Sequence, residues 1–210
     1  FKHPQYIDDN ILLLSNYLKE HYPGYLFISP VKSLSSKTMI CLGQSAYFRM
    51  LPFVENSRTY VATGNKKQAY EAAKQFGRFT RLLSGLPLDG LKTVIPDFHN
   101  LSLRYAQFEE AVINAGVERR GIAKDFIQYL FAQQQIVSDY ENIVRHNVFK
   151  KRVTHYDTKI SNVLFGNHDE GLCVIDLDTV MTGYFISDAG DMIRTYVCPV
   201  TEEEKDTSKI

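Results

Sequence analysis

Tryptophan is absent, cysteine is scarce, neither sign of charge is in excess, and no apolar run is long enough to cross a bilayer. The missing tryptophan says nothing about function. Cys41, Cys173 and Cys198 are an odd, scattered set without CxxC spacing. That argues against a disulfide framework or a thiolate zinc site and predicts buried thiols in a reducing, cytoplasmic compartment. Lys plus Arg number 24, as do Asp plus Glu, so no electrostatic footprint points to nucleic acid or to an anionic membrane. The first residues do not form a signal peptide, and a membrane partner is not expected. No internal repeat is visible, and nothing in the composition sets an oligomeric state. Across 210 residues, an apolar content of 44% supplies one good core, or one and a half. The chain starts at Phe1 without a methionine and ends in the polar run Thr201 to Ile210; an excerpt of a longer polypeptide is expected.

The informative stretch runs from Thr154 to Asp178. It holds His155-x-Asp157, then Asn162 five positions after Asp157, and a second acidic centre at Asp176 and Asp178. Val163 to Phe165 and Leu172 to Ile175 read as short strands joined by the turn Gly166 to Gly171. A hairpin of that length brings its open ends together, which predicts that Asn162 and Asp176 lie close in space, with Asp157 in the loop just before. Two carboxylates and an amide oxygen then converge on a site for a hard cation such as magnesium, with Asp178 nearby.

The rest of the chain reads as helix, strands, then more helices. Residues 4 to 20 open with proline at a permitted first-turn position and carry Ile7, Ile11, Leu14 and Leu18 at helical spacing. Strands are predicted over Tyr25 to Ser29, Thr38 to Leu42 and Ala46 to Leu51, the last two flanking a Gly43-Gln44-Ser45 turn. Asn65 caps an amphipathic helix to Leu83, with Ala69, Ala72, Phe76, Phe79 and Leu83 on its apolar face and Gly85 as its stop. Ile95-Pro96-Asp97-Phe98-His99-Asn100 reads as a capping turn for a helix over Leu103 to Ile113. Another helix is predicted over Ile122 to Tyr140, with Gly116 between the two. Gly183 to Ile186 reads as a loop, and Asp188-x-x-Asp191 starts a short helix. The order argues for an α+β, two-lobe enzyme.

His155-x-Asp157-x-Lys159-x-x-Asn162, followed by Ile175-Asp176 after the hairpin, resembles the catalytic loop and metal-binding aspartate of the kinase superfamily. Asp178-Thr179-Val180-Met181, then Ser187-Asp188-Ala189-Gly190-Asp191 and Arg194, resembles the aminoglycoside phosphotransferase and choline kinase branch. Within it, Thr154 to Lys159, Val174 to Val180 and Ile95 to His99 look most like the N-acetylhexosamine 1-kinase group. The resemblance implies a protein-kinase-like fold, with an incomplete small lobe over residues 1–54 and a mainly helical large lobe over residues 55–210. It also implies a hinge along Met50, Leu51, Phe53 and Val54 that binds the adenine of ATP. The first helix would supply Asp8 or Asp9 to pair with a phosphate-binding lysine, although a solvated acidic first turn explains both equally well. The family's glycine-rich phosphate loop and strand lysine are not in this sequence, and relatives carry them ahead of that helix, so weak nucleotide binding and poor or absent turnover are expected from these residues alone.

Phosphoryl transfer needs an aligned hydroxyl, a metal bridging the phosphates, and positive charge on the departing oxygens. Asp157 is the residue expected to orient the acceptor hydroxyl and take its proton, and Lys159 to meet the transferring phosphoryl group. Asn162 and Asp176 are expected to hold Mg²⁺, with Asp178 behind them or on a second cation. His155 is expected to brace the loop, Asp188 to pin its backbone, and Arg194 to pair with Asp188 or Asp191. Two functions follow. One is an ATP- and Mg²⁺-dependent kinase of a small hydroxylated molecule, a sugar such as an N-acetylhexosamine, an aminoglycoside or a choline-like alcohol. The other is a non-catalytic kinase-like binding module. A metal hydrolase would need further histidine ligands, and His3, His21, His99, His146 and His168 are scattered.

Overall fold

The computed structural model describes residues 1–43, 46–198, 200–201 and 203–206. Helix α1 spans Pro4–His21, and the stripe read from the sequence is the one it buries: Ile7, Ile11, Leu14 and Leu18. Asn10 and Ser15 are buried on the same face. Asn10 is satisfied there, because its Nδ2 donates to the carbonyls of Lys92 and Val180 and its Oδ1 accepts from the Lys92 amide. A buried amide with these partners costs little and fixes the helix rotationally.

Strands β1 (Ile40–Leu42) and β2 (Ala46–Phe48) pair antiparallel, Cys41 opposite Tyr47. Gly43 opens their turn at φ 66, where a side chain would be strained; Gln44 and Ser45, the rest of the expected turn, lie outside the described residues. Tyr25 to Ser29 is not a strand. Tyr25 and Ile28 are buried, so the segment keeps its apolar spacing as two anchors, with Pro30 next in the chain.

Helix α2 spans Lys66–Leu82, its first turn closed by the Asn65 side chain accepting from the Gln68 amide. Ala72, Phe76 and Phe79 are buried, as the pattern requires. Two more antiparallel pairs follow. β3 (Lys151–Thr154) lies against β6 (Met181–Tyr184), with Val153 opposite Thr182. β4 (Val163–Phe165) lies against β5 (Gly171–Val174), with Val163 opposite Val174. The stretch read as a loop over Gly183 to Ile186 is instead the end of β6 and the start of α7 (Phe185–Val197). Its strand partner is some thirty residues earlier, out of reach of local pattern.

The chain forms two compact units, residues 1–95 with 151–210, and residues 96–150. The second unit holds α3 (Leu101–Asn114), α4 (Val117–Ile122), α5 (Lys124–Ala132) and α6 (Gln134–Arg145). Asn100 caps α3 by accepting from the Leu103 amide, as expected, and Asp97 accepts from the Asn100 side chain. The single helix expected over Ile122 to Tyr140 is broken at Ala123, which separates α4 from α5, and again at Gln133, whose amide donates to Leu130 and tightens the turn. Phe108 and Phe131 meet inside this unit with ring centres 5.2 Å apart. No helix among the described residues is long and apolar enough to cross a membrane.

Candidate active site

The loop from His155 to Lys159 is held almost entirely through its backbone. Asp188, at the first turn of α7, accepts from the amides of His155 at 2.9 Å and Tyr156 at 2.8 Å. Asp191, one turn on, accepts from the Thr158 amide at 2.6 Å. The Thr158 hydroxyl donates to the Asp188 carbonyl, and the Tyr196 hydroxyl donates to the Thr158 carbonyl. From the other side, Thr179 donates to the His155 carbonyl at 2.6 Å. Tyr156 sits at φ 69, a left-handed conformation that these bonds over-determine. Burial pushes the Asp188 carboxyl up to about 6, and the nearby Asp191 adds to it, against the two amide bonds that pull it down.

His155 is fully buried, with Phe76 and Phe79 of α2 edge-on to its ring. Its Nε2 lies 3.0 Å from the Ile175 carbonyl, which can only accept, so Nε2 carries the proton. Nδ1 is then the acceptor for the Asp157 amide at 3.3 Å. Burial lowers the imidazole to about 4, so the ring stays neutral and one side chain joins the loop to the strand end ahead of Asp176.

The hairpin behaves as its length implies. The Ile175 amide donates to the Asn162 carbonyl at 2.9 Å, closing the open end one residue before Asp176. Asn162 Nδ2 donates to the Asp157 carbonyl and to Asp157 Oδ2, both at 2.8 Å. Lys159 Nζ lies 3.2 Å from the same Oδ2. Asp157, Lys159 and Asn162 thus form one cluster. Asp176 adopts φ 57, which turns the chain sharply out of β5. Its carboxyl is raised, first by burial and then by Asp178 and Asp157, while Lys159 and Arg49 pull it down.

These residues fit a hard cation in kind. With Nδ2 committed to Asp157, Asn162 has its Oδ1 to offer, and the carboxylates crowding Asp176 are the charge a cation would relieve. Among the described residues no group of three His, Cys, Asp or Glu is placed to hold a metal ion. A cation here would therefore take Asn162 and Asp176 together with phosphate and water oxygens, which is the habit of magnesium.

Two expected contacts are resolved differently from one another. Arg194 pairs with Asp191 at 2.7 Å. Asp8 accepts from the Thr38 hydroxyl at 2.6 Å. Met50, Leu51 and Phe53 are 70%, 54% and 85% exposed, and the Met50 and Val54 carbonyls accept from Val31 and Ser57, away from Asp157. Their neighbour Arg49, which the sequence reading passed over, reaches Asp178 with Nη2 at 2.5 and 2.7 Å from its two oxygens. The signal for it was faint: one cation inside the otherwise uncharged Ala46 to Leu51.

Beside Lys159 opens a cavity of about 670 Å³. Lys159, Ser161, Arg194 and Thr195 give it a polar wall, and Val61 and Val197 belong to its apolar one.

The sequence model of the APH family, described as phosphotransferase enzymes, matches residues 32–207. Among solved structures, spectinomycin phosphotransferase APH(9)-Ia in complex with ADP and spectinomycin aligns with a TM-score of 0.56 at 18% identity, over 89% of this chain and 56% of that one. Its AMP-bound complex gives 0.53 at 18% identity, over 89% and 59%. Amicoumacin kinase hAmiN in complex with AMP-PNP, Ca²⁺ and Ami gives 0.54 at 15% identity, over 96% and 58%. The chain has their kinase-like fold and spans under three fifths of the length of each.

Proposed function

This chain belongs to the APH family of phosphotransferase enzymes, and we propose that its Asp157 site transfers the terminal phosphoryl group of ATP to a hydroxyl of a small molecule. The observation that carries the proposal is the Asp157 carboxylate held between Asn162 Nδ2 at 2.8 Å and Lys159 Nζ at 3.2 Å, beside the cavity that Lys159 lines. Asp157 orients the acceptor hydroxyl and takes its proton. The acceptor oxygen bonds to the γ-phosphorus as the bond to the β–γ bridging oxygen breaks, and ADP leaves with that electron pair. Lys159 places a point charge on the transferring group. Asn162 and Asp176 are the residues that would hold Mg²⁺, which when bound neutralises phosphate charge.

In the same reading residues 1–54 are the small lobe, residues 55–210 the large one, and Met50, Leu51, Phe53 and Val54 take the adenine. The acceptor occupies the Lys159 cavity, whose mixed polar and apolar lining suits a hydroxylated molecule with an apolar face. An N-acetylhexosamine is the acceptor that Thr154 to Lys159 and Val174 to Val180 favour. An aminoglycoside or a choline-like alcohol is the second reading, and the fold shared with spectinomycin phosphotransferase and amicoumacin kinase supports an antibiotic-like acceptor over choline. The free thiols of Cys41, Cys173 and Cys198 suit a reducing cytoplasm.

The test is an ADP-release assay on the full chain with N-acetylhexosamines, spectinomycin, an aminoglycoside, choline and no acceptor, alongside Asp157→Asn. Turnover with one acceptor class is expected of a protein that also carries the glycine-rich loop and strand lysine, reduced at least about a hundredfold in the variant, with nucleotide affinity by calorimetry unchanged because the base acts on the acceptor; residues 1–210 alone should turn over poorly or not at all. Nucleotide binding without turnover on any acceptor would instead favour the binding module.

A further inference from the structure

The site contains three carboxylates and two cations, and the structure sorts them. Lys159 sits on Asp157 at 3.2 Å. Arg49 sits on Asp178, one terminal nitrogen straddling both oxygens at 2.5 and 2.7 Å. The two side chains are 20% and 31% exposed, so the pair is partly withdrawn from water and stronger than an open surface ion pair. Among the described residues no lysine or arginine forms an ion pair with Asp176, which lies two residues before Asp178 and feels the charge of all four partners.

Arg49 also has a particular place in the chain. It follows the last residue of β2 and precedes Met50, whose carbonyl accepts from Val31 at 2.8 Å. The ion pair therefore ties the strand end at Arg49, across 129 residues of sequence, to the turn that carries Asp176.

We propose that Arg49 is a positioning residue that holds Asp178 and neutralises it, so that a divalent cation meets Asp176 and not Asp178. This rests on the reading of Asn162 and Asp176 as the metal residues. It assigns Asp178 the part of a neutralised brace and removes it as a ligand to a second cation. Two opposite consequences follow from charge alone. Taking away Arg49 leaves Asp178 as a bare carboxylate beside the cation site, which strengthens cation binding. Taking away the Asp178 charge leaves the Arg49 guanidinium beside that site, which weakens it. A pair that merely supported the fold would move binding in the same direction from either side.

The experiment measures Mn²⁺ binding to the full chain without nucleotide, following free Mn²⁺ by electron paramagnetic resonance, for the wild type, Arg49→Gln, Asp178→Asn, the double variant and Asp176→Asn. Arg49→Gln is expected to tighten Mn²⁺ binding about tenfold and Asp178→Asn to weaken it by a comparable factor. The double variant should return to within about twofold of the wild type, because the two charges removed act on the cation with opposite sign and cancel. Asp176→Asn should abolish binding. Should Arg49→Gln not fold, Asp178→Asn carries the test, and unchanged or tighter binding in it overturns the proposal. If both single variants shift binding the same way while Asp176→Asn still abolishes it, the proposal fails and the metal reading stands. If Asp176→Asn leaves binding intact, the metal reading itself fails, and this inference with it.

Discussion

Asp188 accepts two consecutive backbone amides, those of His155 and Tyr156, from 33 and 32 residues away. The loop from His155 to Lys159 is thus shaped by carboxylates on α7. Asp188→Asn keeps one oxygen acceptor and turns an amino group toward the second N–H. One buried donor is left without a partner, at a cost of about 1–3 kcal/mol. The expected result is a lower urea midpoint together with faster hydrogen exchange at the Tyr156 and Asp157 amides. A stability within 0.5 kcal/mol of wild type, roughly the size of a neutral surface change, would show that the loop holds its shape without Asp188.

His155 and Asp188 oppose each other in their dependence on pH. The Asp188 carboxyl is raised from 3.8 to about 6, so in that window the native state keeps a proton that the unfolded chain has released. Its contribution is full below 3.8 and is lost as pH rises through 6. The imidazole is lowered from 6.5 to about 4, so there the unfolded chain takes a proton that the native state refuses. Its contribution is full above 6.5 and is lost as pH falls through 4. His155→Gln keeps a side-chain donor for the Ile175 carbonyl and removes the titration. In urea melts at stepped pH, wild-type stability minus variant stability should therefore rise between pH 4 and 6.5. A difference that stays constant over that range would place a charged histidine in the native protein.

Gly171 carries a packing constraint set by the backbone of α2. A Cβ there would lie 2.6 Å from Gln75 Cγ and 3.0 Å from the Glu71 carbonyl oxygen, backbone of α2. Gln75 Nε2 also donates to the Gly171 carbonyl at 2.6 Å. Gly171→Ala should push β5 off the helix and destabilise by about 1–3 kcal/mol. Gly77→Ala, inside α2 with nothing within 4 Å of its Cβ, should stabilise by about 0.5–1 kcal/mol. Denaturant curves for the two variants measure both, and equal midpoints would refute the close approach.

What could be read from the sequence was local. The stripe of α1, the Asn65 and Asn100 caps and the β4–β5 hairpin each follow from residues within a few positions of one another, and each formed as read. The meeting of Asp157, Lys159 and Asn162 was legible for the same reason, since the three share one short turn. Pairings between distant segments were not legible. β6 was missed because Gly183-Tyr184 looks like a turn until Arg152 and Lys151 lie beside it. Tyr25 to Ser29 has strand composition but no partner strand, so its apolar residues serve as anchors. Arg49 needed a partner 129 positions away, and nothing in its own neighbourhood announces one.

Asn10 gives α1 a mechanical connection to the far side of the site. Its amide group grips the Val180 carbonyl at 2.9 Å and both polar atoms of the Lys92 backbone at 2.8 Å, and Val180 lies four residues beyond Asp176. The helix cannot roll about its axis without dragging that stretch or breaking three hydrogen bonds. α1 is therefore moored directly to the chain just past Asp176, and the rotational setting of the one is fixed by the other.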